Sequence, residues 1–242
     1  MKPLLFLLML VPALLIQANA SATKQQNLER LLIKQVENKI PITRSVSSVL
    51  KSYPHLNKTI MEVAFTIYPD NYAQIIKGVI ATDPNYAQDA ISIAMEMEVA
   101  SCDKIIAAAI KAEPAYADDI VVKAINLHPH DKQHIFETAI LTKPIMANTI
   151  ITSTINNNPD DFNNVLTTAF IKLPDQLLPL IKSAMSNFPD RSSSVITLAI
   201  KSSDKTHHQA IVDTAIGTGA IHADVINAAI EGGADKSTLS VH

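Results

Sequence analysis

Three histidines form the densest group of potential metal ligands in the sequence. His128, His130 and His134 lie close together, and Pro129 stands between the first two. Imidazole nitrogens are common ligands of Zn²⁺ and Cu²⁺, and this spacing across the start of a helix could bring three of them to one ion. No cysteine and no spaced acidic residue completes the set. Solvent-exposed turn residues are therefore the alternative interpretation of this metal-site candidate.

Three tyrosines recur at similar places in neighbouring segments of the chain. Tyr72, Tyr86 and Tyr116 each follow a proline by two or three residues. Aromatic side chains aligned on one surface could bind a peptide or a glycan. The alternative is that each ring packs at the edge of an apolar stripe, which is the usual place of aromatic residues at helical spacing. The sequence therefore offers the three tyrosines as candidate binding residues.

Paired carboxylates are the remaining candidates for chemistry. Asp118-Asp119 and Asp160-Asp161 would need an enclosed site that separates their pKa values before they could act as acid and base. Both pairs lie near expected helix starts, where the helix dipole already accounts for acidic residues. The Ser192-Ser193-Ser194 run lacks the glycines of a nucleophile elbow, and no glycine-rich phosphate loop is present. We predict no catalytic residue and no cofactor, and hence a protein that is not an enzyme.

The element that positions these side chains is a short repeat marked by proline. Nine of the thirteen prolines recur at the same interval, about 15 residues, or at twice that interval. They are Pro54, Pro69, Pro84, Pro114, Pro129, Pro144, Pro159, Pro174 and Pro189. We call these nine residues the ladder prolines. Within the series, the one position without proline is Val99. After Pro189 the repeat continues without proline, and its first unit is shifted by one residue. About thirteen units span residues 39–233 by this self-similarity.

Each repeat carries the apolar pattern of one amphipathic helix. When the proline is counted as position one, positions seven, eight and twelve are large and apolar and position eleven is usually alanine. Ile135, Phe136, Ala139 and Ile140 show this pattern in one unit. At 100° per residue these positions share one face of a helix, whereas a strand would alternate with period two. Proline fits the first turn of a helix and ends the preceding one.

These signals predict an all-α fold, an α-solenoid of about thirteen 15-residue single-helix units. Turns of about four residues make successive helices antiparallel, and the resulting pairs are expected to stack in a superhelix. Small alanines at position eleven let the helices approach closely. The pattern resembles helical-repeat proteins in general, although its unit is shorter than the common two-helix repeats of about 33 to 47 residues.

The N-terminus has the pattern of an export signal. Lys2, an apolar run over 4–16 and Ala18-Asn19-Ala20 predict a cleaved signal peptide over residues 1–20. A capping helix over 21–38, the repeat domain over 39–233 and a flexible tail over 234–242 should follow. The apolar run is shorter than the ~20 residues that a spanning helix needs. We therefore expect a periplasmic or secreted protein without an integral membrane span after cleavage.

Composition narrows the possible partners. The net charge is −3 and no cluster of lysines and arginines is present, which argues against nucleic acid as a partner. Cys102 is the single cysteine, so stability must come from packing. We expect an exported, non-enzymatic scaffold or binding module that engages a protein, a peptide or an envelope component. The alternatives are a self-assembling structural or matrix protein, and a metal-binding protein that uses the histidine cluster.

Overall fold

The computed structural model describes the backbone of residues 10–240 and the side chains of residues 23–240. This part of the chain contains fourteen α-helices and no strand, and it divides into two compact units that meet at Glu113 and Pro114. Unit 1 contains α1 (Leu10–Glu37), α2 (Ile42–Ser52), α3 (Asn57–Ile67), α4 (Tyr72–Ile80), α5 (Ala87–Glu96) and α6 (Cys102–Ala112). Unit 2 contains α7 (Ala117–Leu127), α8 (Lys132–Thr142), α9 (Ala147–Asn157), α10 (Phe162–Lys172), α11 (Leu177–Asn187), α12 (Ser192–Lys201), α13 (His208–Gly217) and α14 (His222–Glu231).

Within each unit, a helix packs on the next helix and on the next but one. In unit 2, for example, α7 contacts both α8 and α9. Short turns make successive helices antiparallel, so alternate helices run parallel as neighbours in one layer. The thirteen helices from α2 to α14 follow the repeat, and the prediction of an all-α helical-repeat fold is confirmed.

The core lies along the stripe that the sequence predicts. In α8 the buried residues are Ile135, Phe136, Ala139 and Ile140, at positions seven, eight, eleven and twelve of the unit. The same positions are buried in α9, α11 and α12. Ala139 is fully buried, so its small side chain sits where neighbouring helices approach closely. Since one helix of this length is marginal alone, the stacking of stripes supplies most of its stability.

Each ladder proline opens a single 3₁₀ turn rather than the α-helix itself. Pro129–Asp131 forms such a turn, and α8 follows directly at Lys132. The residue before the proline leaves the α region, as at His128 with φ −126° and ψ 66°. The proline ring forces this change because it clashes with a helical residue in front of it. The turn therefore ends one helix and starts the next within a few residues.

Two units that lack the ladder proline are entered through a different turn. Lys39 and Glu98 adopt the left-handed conformation, with φ of 65° and 51°. The Val99 amide donates to the Ala94 carbonyl over 3.2 Å, and the Glu98 amide donates to Met95 over 3.0 Å. These two bonds define a Schellman motif at the end of α5. The left-handed residue thus replaces the proline as the signal that ends the helix.

We expect Glu98→Gly to stabilise unit 1 by about 0.5–1 kcal/mol. A left-handed conformation costs an L-residue ~1–2 kcal/mol, and the larger chain entropy of glycine in the unfolded state cancels part of the gain. Urea denaturation followed by circular dichroism measures the change. Gly233→Ala is the matched control in unit 2, because Gly233 has φ 102° in the same kind of turn. It should destabilise the chain, and a stabilising Gly233→Ala would contradict the argument.

The N-terminal helix covers the predicted capping segment. α1 begins at Leu10 and buries Leu28 and Leu32. Residues 1–9 of the predicted signal peptide lie outside the described part, and its cleavage stays a prediction. From Leu10 to Ser240, no helix has the length and apolar character needed to cross a membrane.

The C-terminal segment makes specific contacts as far as it is described. Ser240 and Gln209 exchange two hydrogen bonds of 2.8 and 3.1 Å. The Asp235 carboxylate accepts from the amide and the hydroxyl of Ser237, and these bonds lower the pKa of Asp235. These contacts show where residues 234–240 lie, whereas the predicted flexibility of the tail stays a prediction.

Candidate interaction surface

The structure spreads the three histidines around the turn between α7 and α8. His128 follows α7 and is partly buried, His130 is exposed in the 3₁₀ turn, and His134 is exposed in the first turn of α8. Between Leu10 and Ser240, no three His, Cys, Asp or Glu side chains are grouped to hold a metal ion. The geometry therefore adds no support to the metal-site prediction.

Within unit 1, Tyr72 and Tyr86 do not line one common surface. Tyr72 begins α4 and Tyr86 ends the turn before α5, so in unit 1 these two residues start helices that run in opposite directions. They consequently lie at opposite edges of the helix layer. Tyr116 begins unit 2 and is 47% exposed. The tyrosine binding site thus stays a prediction, and Tyr72 and Tyr86 share no surface in unit 1 that would support it.

One aspartate of each carboxylate pair contacts a neighbouring helix. Asp119 forms an ion pair of 2.7 Å with Lys123, and the Ser153 hydroxyl donates to Asp118 over 2.9 Å. In the second pair, Asp161 binds Lys132 at 2.6 Å. The Asp119 pair lies within α7. The Asp118 contact joins α7 to α9 and the Asp161 contact joins the start of α10 to α8, so these two aspartates stabilise the stacking of parallel helices.

The turns of unit 2 form two edges of different character. Because successive helices run in opposite directions, every second turn lies at the same edge. We call residues 141–146, 171–176 and 201–207 the apolar edge. We call residues 127–131, 157–161, 187–191 and 217–221 the acidic edge.

The apolar edge exposes large aliphatic side chains. Ile145 is 79% exposed, Ile171 is 55% exposed and Leu141 is 47% exposed. Single exposed apolar residues are ordinary on protein surfaces, but several on one edge make that edge the candidate interaction surface. The second and third turns of this edge are neighbours, since a cleft of about 350 Å³ is lined by Phe170, Ile171 and Leu177 on one side and Lys201 and His207 on the other.

The acidic edge carries several carboxylates, although it also exposes Leu127 and Ile221. Three of its turns contain four aspartates, against the single cation Arg191. Asp131, Asp160, Asp161 and Asp190 are these four residues. Arg191 lies 4.7 Å from the ring centroid of Phe162 and donates to the Pro159 carbonyl over 3.5 Å, which joins adjacent turns of this edge.

A second cleft, of about 360 Å³, opens at the acidic edge between the starts of α12 and α14. Pro189 and Ile221 give it an apolar wall, and Asp190 and Asp224 place carboxylates beside that wall. Hydroxyl groups complete the lining, from Ser186, Ser192, Ser193 and Thr218. Ile221 is 70% exposed, so the cleft combines an apolar contact with negative charge.

Sequence reasoning missed these two edges, although a signal was present. Position two of a unit falls in the 3₁₀ turn and position thirteen falls at the end of the helix beside the next turn, where polar residues are expected. Ile145 and Ile171 occupy these positions in unit 2. Comparing every second turn, rather than every turn, places Leu141, Ile145 and Ile171 on one edge and four of the six aspartates of these turns on the other.

Comparison with known proteins gives no further guide to the site. The chain matches no protein-family model, and no curated protein and no solved structure is significantly similar to it.

Proposed function

We propose that this chain is an exported, non-enzymatic binding module whose helical repeats form a scaffold for a protein partner. The observation that carries the proposal is the group of exposed aliphatic side chains on the apolar edge of unit 2. Ile145 lies in the turn after α8, and Leu141 and Ile171 lie near the ends of α8 and α10, where the stacked helices hold them in place. Burial of such side chains in a complex is favourable by about 25 cal/mol per Å² of apolar surface.

The polar groups of the two clefts support binding rather than catalysis. In the acidic-edge cleft, Asp190 and Asp224 lie among hydroxyls at an open surface. An enzyme site instead needs a cavity that excludes water and brings polar groups together around a substrate. Export is part of the proposal because of the signal-like residues 1–20.

Site-specific photocrosslinking tests the proposal. A photoreactive amino acid at Ile145 should capture the same protein repeatedly when the full chain is expressed in its native cells. The matched control places the same amino acid at Lys182, which is exposed in the middle of α11 and belongs to neither edge. Mass spectrometry identifies the adducts. The proposal fails if Ile145 gives no recurrent adduct, or only those that Lys182 also gives.

A further inference from the structure

We propose that the protein partner of the apolar edge is a second copy of this chain, bound through the acidic edge of its unit 2. The inference rests on the proposed function, because it assigns the occupant of the same surface. The charges of the two edges, the cleft at the acidic edge and the spacing of the turns support this partner.

The apolar edge of unit 2 also carries a net positive charge. Its three turns contain four lysines against two aspartates, which are Lys143, Lys172, Lys201 and Lys205 against Asp175 and Asp204. Lys172 pairs with Glu137 of α8. Within residues 23–240, the other three lysines have no carboxylate within ion-pair distance. The charge of Lys205 still contributes to the lowered pKa of Asp235. Lys143 and Lys201 are therefore the two ammonium groups left available to a partner at this edge.

The acidic edge offers the complementary charge. Asp161 is occupied by Lys132. Asp131, Asp160 and Asp190 form no ion pair with any side chain in the described range, and all three are exposed. Opposite potentials on two surfaces steer them together and fix their register, whereas two like-charged surfaces repel. Contact between an apolar edge and an acidic edge is therefore favoured over contact between two edges of the same kind.

The cleft at the acidic edge suits the most exposed residue of the apolar edge. Ile145 lies two residues after Lys143, so one turn presents an aliphatic side chain with an ammonium group beside it. The cleft, of about 360 Å³, has Pro189 and Ile221 as an apolar wall and Asp190 next to them. An aliphatic side chain would bury against this wall while the lysine reaches the carboxylate.

A second copy also matches the spacing of the turns. Turns at each edge recur with every second unit of the chain, for example at Pro144 and Pro174 on one edge and at Pro159 and Pro189 on the other. The lysines of one edge and the aspartates of the other therefore recur with the same period, one turn in every two units of the chain.

Contact between two different edges leaves one edge of each type free. Such a heterologous interface adds further copies until a ring closes or a filament forms. The proposal thus predicts open-ended growth with protein concentration rather than a closed dimer.

Sedimentation velocity of the purified full chain, at rising concentration and at two salt concentrations, measures the association. The wild-type protein should grow in mass with concentration at low salt. It should shrink at about 1 M salt, where the Debye length is ~3 Å. A double variant Lys143→Glu/Lys201→Glu makes the apolar edge acidic, and Asp160→Lys/Asp190→Lys makes the acidic edge basic. Each variant alone should associate about tenfold or more weakly.

Mixing the two charge variants is the decisive step. In the mixture, each altered edge meets an edge of opposite charge on the other variant, so association should return. All four substituted residues are exposed, and thermal melting checks that both variants fold. A wild-type protein that stays monomeric overturns the proposal, as does association indifferent to salt, or a mixture without recovery. If photocrosslinking at Ile145 captures another protein while the chain stays monomeric, the binding function stands and this inference fails.

Discussion

Replacing Phe162 by Ala is expected to lower the free energy of unfolding by about 3–5 kcal/mol, the usual cost of removing a fully buried phenylalanine. Phe162 is the first residue of α10 and only 1% of it is exposed. Its ring packs edge to face on Phe188 with centroids 5.6 Å apart, and the Arg191 guanidinium lies over it. The substitution would leave a cavity beneath the turn that joins α11 to α12. Urea denaturation followed by circular dichroism measures the loss.

Phe162→Leu is the control for this prediction. It keeps much of the buried apolar surface and loses the aromatic pair, which is worth about 0.5–1.5 kcal/mol beyond its area. It should therefore cost clearly less than Phe162→Ala. If the two variants are equally stable, or if Phe162→Ala costs less than ~1 kcal/mol, the ring does not fill a packed site.

Replacing Gly78 by Ala is expected to destabilise unit 1 by about 1–3 kcal/mol, as overpacking of a close contact does. Gly78 is buried in α4, and an added Cβ would lie 2.5 Å from the carbonyl oxygen of Thr43 in α2. Hydrogen bonds hold the two helices at this distance, since the Thr43 hydroxyl donates to the Gln74 carbonyl over 3.1 Å. The Thr82 hydroxyl also lies 2.8 Å from Ser47 Oγ. Helix α2 would have to move away from α4.

Gly217→Ala is the matched control, because it makes the same change at the last residue of α13, where no atom lies within 4 Å of the added Cβ. A helix gains up to ~1 kcal/mol when alanine replaces glycine. Gly217→Ala should therefore be neutral or stabilising, while Gly78→Ala is destabilising. Thermal unfolding of both variants compares them, and a stabilised Gly78→Ala protein would show that α2 and α4 are not held together.

The 15-residue period was sufficient to predict the fold. Burial of one apolar stripe determines which face of each helix packs on its neighbours. The small residue at position eleven, such as Ala139, identifies that face in the sequence. The conformation of the turns was harder to predict from the sequence. Lys39 and Glu98 adopt the left-handed conformation although neither is a glycine, so the sequence gives no signal for these turns. Their conformation follows from the packing of the helices on either side rather than from their own preference.

The candidate surface could not be predicted for a different reason. His128, His130 and His134 are close in sequence, but residues that are close in sequence need not bring their imidazole groups together around one metal ion. Ile145 and Ile171 are far apart in the sequence, with α9 and most of α10 between them, and only the antiparallel packing places their turns on the same edge of unit 2. A surface assembled from alternate turns has no contiguous motif, so a search for motifs cannot find it.

The alternation of edges also limits how the length of unit 2 can change over generations. Removal of one repeat would reverse the direction of every later helix, and the turns after it would exchange edges. Removal or duplication of two repeats leaves each later turn on its original side, because every contact spans only neighbouring helices. A gene for such a chain can thus gain or lose pairs of repeats and keep both edges. The gain or loss of a single repeat would keep the helices but would place apolar-edge and acidic-edge turns on the same side of unit 2.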